Sequence, residues 1–320
     1  MSEGTLTVYP DHPVMAMTED GMVPLPDNAL TMPVGIHDIS NEDYHAGPGI
    51  SKSGLWTIHS QSPAHFIGQE RKETKAQAFG TACHTAVLEP HLLETRYCVI
   101  PQNAPRRPTE AQWKAAKPSP ESVAAMNWWR EFAQYNQGKT EITQADFDAV
   151  RKVRDRLHAE PLVQRLVKDA MYERSAYWTD PETGELCRCR PDIYSPGLRM
   201  IGDVKTCRDA SEFGFSRAIE TYGYHVQDAF YSDGLALAGG GDVDAFVFIA
   251  IESEAPFEFQ IYELEQADKD QGREIYRKAL RRYADCKRTG LWPGYGSGVK
   301  TITRPKWAHM KETNFDLDAA

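Results

Sequence analysis

The chain has 320 residues, of which 41% are hydrophobic and 26% charged, and its formal net charge is −10. This composition suits one large α/β domain or two small ones, and it argues against a protein that coats nucleic acid through overall positive charge. No apolar run approaches the roughly 20 residues that cross a bilayer, and the N-terminus lacks the basic and apolar regions of a signal peptide, so we expect a soluble, cytoplasmic protein without a membrane partner.

The first hundred residues predict an irregular arm followed by helices. Residues 1–45 are rich in Pro, Asp and Met without a sustained period, so we expect an irregular N-terminal arm. The run GISKSGLWTIHSQSPAHFIGQ predicts a helix that is capped at Ser51 or Ser53 and stops near Pro63. AFGTACHTAVLEP predicts a compact helix ended by Pro90, and YCVIP predicts a short strand.

A polar insertion is predicted at about residues 102–139. It contains APRRP and KPSPES but also three tryptophans, so we expect an inserted or mobile segment with some helix. The run TQADFDAVRKVRDRLHAEPLVQRLV, which follows it, is the clearest amphipathic helix and has a break at Pro161.

The middle third changes from helical to strand periodicity. MYERSAYW, ELCRCRPDIY and LRMIGDVKT predict three strands, joined by turns at DPETG and SPG. Two helices follow, then the apolar strand DAFVFIAIES, its partner FEFQIYELE and a last long helix. The order predicts an α/β fold with a mixed central β-sheet flanked by helices. We assign residues 46–292 to this domain and 293–320 to a C-terminal tail.

The segment RCRPDIYSPGLRMIGDVKTC places two carboxylates and a lysine among apolar residues. Side chains alternate along a strand, so Asp203 and Lys205 point to the same face. A turn centred on residues 195–198 would put Asp192 opposite Ile201 and make Asp203 its diagonal neighbour. Carboxylates that close repel unless a cation or a proton lies between them, and oxygen ligands favour Mg²⁺ or Mn²⁺. We therefore predict a metal site for phosphodiester hydrolysis, with Lys205 near the bound water.

An acid two residues before a lysine is a common pattern, and taken alone it indicates a surface feature. The same spacing begins at Glu70, Glu73 and Asp285, all within predicted helices where such charges are solvated. The preceding Pro-Asp, the tight turn and the apolar neighbours distinguish Asp203 and favour a functional site.

These runs together resemble one group of nucleases. RPDI followed by IGDVKT resembles the core of the PD-(D/E)xK nuclease superfamily. GISKSGLWTIHSQSPAHF, AFGTACHTAVLEP, YERSAYW and YGYHVQDAFYSDGL are, with that core, similar to the RecE-type (exonuclease VIII-like) exonucleases of phages and prophages. The resemblance implies a restriction-endonuclease-like core over most of the chain after about residue 46.

The resemblance implies a metal-binding and catalytic set. Asp192 and Asp203 would bind the metal together with the carbonyl of Val204, and Lys205 would be the catalytic lysine. His84, in GTACH, would be a further metal ligand. The alternative for His84 is simple packing, because its small neighbours also suit a tight helix contact.

The resemblance also implies three residues around this set. Gln227 and Tyr231 match a Gln-x-x-x-Tyr motif on the DNA side of the site, and their spacing places both on one helical face. Glu173 matches an acid on the first strand that would hold a water or a second metal. The alternatives are a backbone cap for Gln227, a core position for Tyr231 and a solvated hairpin charge for Glu173.

The resemblance implies an Mg²⁺-dependent exodeoxyribonuclease, with Mn²⁺ as a substitute, in the cytoplasm of a bacterial host. It would degrade linear double-stranded DNA from 5′ ends and leave a single strand for a RecT-type annealing partner in recombination. Family members form rings around DNA, so a homo-oligomer is implied. Two alternatives stay open: a non-catalytic DNA-binding or assembly module on the same fold, and an endonuclease or nicking enzyme.

The six cysteines contain no C-x-x-C pair, so the usual zinc and redox spacings are absent from the sequence. Cys187 and Cys189 lie on one face of a predicted strand, with Cys207 just beyond the next. A closed zinc or iron–sulfur site needs a fourth ligand, for which the sequence offers no recognisable spacing. We therefore expect reduced, mostly buried thiols and no cluster.

Overall fold

The computed structural model describes residues 32–68 and 75–304, together with two short N-terminal strands. These strands, β1 (Met15–Thr18) and β2 (Gly21–Pro24), form an antiparallel pair. They are followed by β3 (Gly35–His37) and α1 (Asn41–Ala46). The prediction of an irregular arm over residues 1–45 is therefore wrong in the parts described. Strands of three or four residues are too short to show a period in the sequence.

The predicted N-terminal helices are confirmed, with the break at Pro63. Ser51 is the N-cap residue of the first of them, and Pro63 begins the second. The elements of this region are α2 (Lys52–Ser60), α3 (Pro63–Gly68), α4 (Lys75–Leu88), α5 (Leu93–Arg96) and β4 (Tyr97–Ile100). The polar insertion contains two helices before the chain returns to β-structure. Its elements and their successors are α6 (Glu110–Trp113), α7 (Pro120–Tyr135), β5 (Thr140–Thr143), α8 (Gln144–Ala159) and α9 (Pro161–Val167).

The rest of the described chain builds two further sheets and their covering helices. The strands are β6 (Met171–Tyr172), β7 (Ser175–Thr179), β8 (Leu186–Cys189), β9 (Ile193–Ser195), β10 (Met200–Cys207), β11 (Ala245–Glu252) and β12 (Phe259–Glu263). The helices are α10 (Glu212–Tyr222), α11 (Tyr224–Leu237) and α12 (Gln266–Thr289). Residues 293–304, the described part of the predicted tail, contain no helix or strand.

A five-stranded mixed sheet is the centre of the molecule. Its order is β12-β11-β10-β9-β6, with β10 and β11 parallel and the other pairs antiparallel. One face packs on a core with residues from α2, α11 and α12, and the other on a core with residues from α8 and α9. The predicted mixed sheet flanked by helices is thereby confirmed. No helix in the described ranges is both long and apolar enough to span a bilayer.

Two predicted strands are each split into two. MYERSAYW becomes β6 and β7, and ELCRCRPDIY becomes β8 and β9. In each run the two halves belong to different sheets: β6 and β9 lie in the five-stranded sheet, whereas β7 and β8 lie in a separate three-stranded sheet with the order β3-β7-β8. Pro191 has no N–H for a ladder, and Glu173 has a φ of 50°, so each break has a local cause. The two breaks are adjacent, since the Glu173 N–H donates to the Asp192 carbonyl at 3.1 Å.

The register between β9 and β10 differs from the predicted one by two residues. Ser195 pairs with Met200 and Tyr194 with Ile201, whereas the prediction put Asp192 opposite Ile201. The turn lies later than expected, at residues 196–199, and closes with a hydrogen bond from the Arg199 N–H to the Pro196 carbonyl. Continuing the observed register by one step brings Asp192 opposite Asp203. A shift of two keeps the side chains on the same face.

The α11–α12 contact leaves no room for a side chain at Gly272. A Cβ there would lie 2.1 Å from the backbone carbonyl oxygen of His225. Gly272→Ala must therefore separate two helix backbones, and we expect it to lower the free energy of unfolding by about 1–3 kcal/mol in urea titrations. Gly197→Ala is the matched control, because its Cβ would meet no atom within 4 Å. Equal stability of the two variants would contradict this packing.

Candidate functional site

Asp203 is buried on β10 with both carboxylate oxygens engaged. The side chain is 2% exposed, and its Oδ1 forms an ion pair with the Nζ of Lys205. The Nε2 of Gln227, on α11, donates to Oδ2 at 2.5 Å. The predicted pairing of Asp203 with Lys205 on one face is thus present, and Gln227 reaches the same carboxylate.

Asp192 lies at the break between β8 and β9. The pairing of β9 with β10 ends before it reaches Val204. The Val204 N–H instead donates to Asp192 Oδ2 at 2.7 Å. The Nδ1 of His84 is 3.4 Å from the same oxygen. Burial and then the negative charges of Asp203 and Glu173 raise the pKa of Asp192 well above its ordinary value. A cation bound beside Asp192 would relieve both effects.

His84 projects from α4, which approaches β10 closely. A Cβ at Gly80, one turn before His84, would lie 3.0 Å from the Oγ1 of Thr206, so the small residue permits the approach. Burial and then the positive charge of Lys205 lower the pKa of His84, while a backbone hydrogen bond with Val204 acts in the opposite direction. The neutral imidazole is the form that binds a metal.

Glu173 enters the site from the break between β6 and β7. Ligand atoms of His84, Glu173 and Asp192 lie within 4.8 Å of one another, and they are the group of metal-competent side chains found among the described residues. The Glu173 carboxylate also accepts a hydrogen bond from the Nε of Arg190 at 2.7 Å. The predicted ligand set was His84, Asp192, Asp203 and the Val204 carbonyl, with Glu173 for a water or a second metal. In the structure the Asp203 oxygens face Lys205 and Gln227.

The donor chemistry of this corner fits a divalent cation. The group of His84, Glu173 and Asp192 offers carboxylate oxygens with one imidazole nitrogen, a set that suits Mg²⁺ or Mn²⁺. Burial and then the neighbouring carboxylates raise the pKa of Asp192, so a cation at this place would stabilise the charged form. We conclude that the residues present can hold the predicted ion.

Tyr231 lies on α11 one turn after Gln227, with its ring 6.3 Å from the ring of Phe246. Burial and then the nearby Tyr44 and Asp203 raise the pKa of its phenol well above the ordinary value. Tyr231 is therefore close to the carboxylates while packing against the apolar core. Its role on the DNA side stays a prediction.

Two neighbours of the site were missed by sequence reasoning. Arg190 bonds Glu173, the Oγ of Ser175 at 2.8 Å and the Ile39 carbonyl at 3.0 Å. Arg190 could have been predicted from the sequence, because an arginine inside a short apolar strand needs several buried acceptors. Lys52 lies on α2 with its Nζ 5.6 Å from the centre of the Tyr224 ring. A lysine in the first turn of a helix resembles any solvated charge, so the sequence gave no comparable sign.

Many of the basic residues that cluster on α8 and α12 are paired with acids. Arg156 contacts Glu258 at 2.6 Å, and Lys287 contacts Glu185 at 2.7 Å. Arg154, Arg281 and Arg288 also have carboxylate partners. These contacts favour salt-bridged surfaces over a continuous basic track on either helix.

Comparison with solved structures supports the fold. A Eubacterium rectale protein named “putative exonuclease” aligns with a TM-score of 0.52 at 12% sequence identity, over 83% of this chain and 97% of that chain. At this identity the likeness establishes the fold alone. A phage-related exonuclease from Haemophilus somnus 129PT aligns over 59% of this chain and 92% of its own, with 13% identity and a TM-score of 0.29 that carries no argument. A search of curated proteins gives no match.

The family comparison covers most of the sequence. Residues 59–305 match the PDDEXK-like domain of unknown function (DUF3799). The matched range contains the metal-competent group, the Asp203–Lys205 pair and Gln227, so the predicted PD-(D/E)xK core is confirmed. The chain belongs to this PDDEXK-like family and has the fold of a PD-(D/E)xK nuclease.

Proposed function

We propose that this chain is an Mg²⁺-dependent exodeoxyribonuclease that degrades linear double-stranded DNA from its 5′ ends. The observation that carries the proposal is the convergence of Asp192 and of the Asp203–Lys205 pair at one corner of the central sheet. A purely structural or DNA-binding role does not require buried carboxylates to face one another, because they repel phosphate as well as each other.

The bound Mg²⁺ or Mn²⁺ would activate water and polarise a phosphoryl oxygen. His84, Asp192 and Glu173 would supply ligand atoms for it, and Asp203 would hold Lys205 in place. Burial acts to lower the pKa of Lys205, but the charges of Asp203 and Asp192 raise it above its ordinary value. Lys205 therefore stays protonated at neutral pH and acts as a cation that stabilises charge on the attacked phosphate.

Substrate, direction and partners are drawn from the RecE-type resemblance. They comprise double-stranded DNA ends, a RecT-type single-strand annealing protein, a homo-oligomeric ring and the cytoplasm of a bacterial host. The structural neighbour from Eubacterium rectale, named as an exonuclease, supports the choice of reaction. A ring would reconcile DNA binding with the net charge of −10, because basic groups can line its inner wall while acids cover the outside.

Loss of either member of the Asp203–Lys205 pair should abolish most of the activity. We expect Asp203→Ala and Lys205→Ala to slow degradation of end-labelled linear duplex with Mg²⁺ by at least about 10²-fold, since each removes a buried charge next to the reacting phosphate. The labelled products also give direction and strand choice. Asp285→Ala and Lys287→Ala are matched controls, because they repeat the same spacing on α12. Degradation at the wild-type rate by all four folded variants would exclude the assignment.

Metal binding should depend on Asp192. Calorimetric titration with Mn²⁺ is expected to give a binding isotherm for the wild type and to lose it in Asp192→Asn, which keeps the size of the side chain but removes its charge. Asp244→Asn, at an exposed acid, should bind as the wild type does. An unchanged isotherm in Asp192→Asn would favour the non-catalytic DNA-binding module over the nuclease.

Dependence on a DNA end separates an exonuclease from an endonuclease or nicking enzyme. Covalently closed circular duplex should resist the protein with Mg²⁺, while the same molecule linearised by a restriction enzyme should be degraded. The linear and circular forms share one sequence, so the end is the sole variable. Cleavage or nicking of the closed circle at a comparable rate would replace the exonuclease proposal with its rival.

A further inference from the structure

Lys52 and Lys205 lie against the same aromatic ring. The Nζ of Lys205 is 5.0 Å from the centre of the Tyr224 ring, and the Nζ of Lys52 is 5.6 Å from the same centre. Lys52 comes from the first turn of α2 and Lys205 from β10, so two distant segments bring their ammonium groups together. Trp56 adds a second ring, 5.9 Å from the Lys52 Nζ.

The Lys52 ammonium has donor capacity left for an anionic partner. It donates to the backbone carbonyl of Tyr222 at 2.5 Å, which uses one of its three donor positions. Its other neighbours are the rings of Tyr224 and Trp56, and no carboxylate within residues 32–68 and 75–304 forms an ion pair with it. By contrast, Lys205 is committed to Asp203.

The electrostatic setting makes an isolated ammonium unfavourable there. Burial and then the positive charge of Lys205 lower the pKa of Lys52 to about 7, while Asp203 acts in the opposite direction. Tyr224 and His225, from α11, also face this group and carry no negative charge that would compensate, since burial raises the pKa of the Tyr224 phenol and lowers the pKa of the His225 imidazole. An oxyanion placed against Lys52 would stabilise its charged form.

A structural role accounts for part of this arrangement. Tyr222 is the last residue of α10, and a cation on a helix C-terminal carbonyl is favourable. That contact does not explain why the ammonium lies close enough to Lys205 for the two charges to repel. An arrangement that concentrates two cations beside a hydrolytic site is typical of phosphate binding.

We propose that Lys52 binds a backbone phosphate of the DNA strand next to the one that is attacked beside Lys205. The inference rests on the proposed nuclease function and assigns a substrate-binding residue to the same site. The Lys52 ammonium donates to a non-bridging phosphate oxygen, and the Tyr224 ring keeps the two ammonium groups apart. The expected ligand is thus a phosphodiester oxygen, independent of base identity.

The test measures DNA binding without hydrolysis. Fluorescence anisotropy of an internally labelled duplex is recorded in EDTA at pH 6 over a series of NaCl concentrations. Each phosphate neutralised by a protein cation contributes about 0.9 to the slope of log affinity against log salt. Lys52→Met should reduce the magnitude of this slope by about 0.9 and weaken binding at low salt by about tenfold, while Lys52→Arg should keep both.

Lys139→Met is the matched control, because the Nζ of Lys139 also donates to a backbone carbonyl, that of Glu94 at 2.9 Å. It should leave slope and affinity unchanged. A second series at pH 8.5 should weaken wild-type binding, since a lysine with a lowered pKa loses its charge as pH rises, whereas Lys52→Arg stays charged.

The outcomes separate this inference from the proposed function. If Lys52→Met lowers only the melting temperature and keeps the wild-type salt slope, Lys52 is structural and the inference is wrong while the nuclease proposal stands. If the wild type shows no salt-dependent binding to duplex, both are wrong. A slope reduced in Lys52→Met and restored in Lys52→Arg supports the inference even if the direction of digestion proves different.

Discussion

The hydrogen bond from the Glu173 N–H to the Asp192 carbonyl fixes the corner on which the site depends. At this point the chain passes from the five-stranded to the three-stranded sheet between β6 and β7, and it returns between β8 and β9. Continuing the register of β6 and β9 by one step puts Glu173 opposite Asp192, and directly opposed residues of an antiparallel pair share one face, so both acids lie beside His84. Arg190 strengthens the corner, because its guanidinium joins Glu173 to the Ile39 carbonyl on the N-terminal segment. The candidate metal-binding side chains therefore converge where the chain passes between the two sheets.

The charges at this corner are unevenly balanced. Arg190 pairs with Glu173, and Lys205 pairs with Asp203. Asp192 instead has a backbone N–H and the imidazole of His84, whose lowered pKa keeps it neutral near pH 7. Of the three acids, Asp192 thus has no positively charged partner among the described residues. The surplus negative charge is concentrated where the ligand atoms converge, which is why a divalent ion rather than another side chain suits the position.

The parts of this fold that are set by local pattern could be predicted from the sequence. The apolar run of β11, the break at Pro161 and the common face of Asp203 and Lys205 each depend on a few consecutive residues. The split strands could not be predicted in the same way. Each sequence run has the pattern of one continuous strand, and only the tertiary structure shows that its two halves join different sheets. The two-residue error in register has a similar origin, because alternation fixes the face of a side chain but leaves shifts of two undetermined.

Contacts between distant segments explain what sequence reasoning missed around the site. Lys52 meets the Tyr222 carbonyl across 170 residues of chain, and no periodicity encodes such an encounter. Once formed, this contact leaves two amines beside one aromatic ring, and the charges of the two amines are stabilised in different ways. The charge of Asp203 raises the pKa of Lys205 and keeps it protonated. Burial and the positive charge of Lys205 lower the pKa of Lys52, so Lys52 needs an anionic partner to stay charged. A fixed cation next to the carboxylates can serve chemistry, and one that is stabilised by an incoming anion can serve binding, so adjacent lysines need not be redundant.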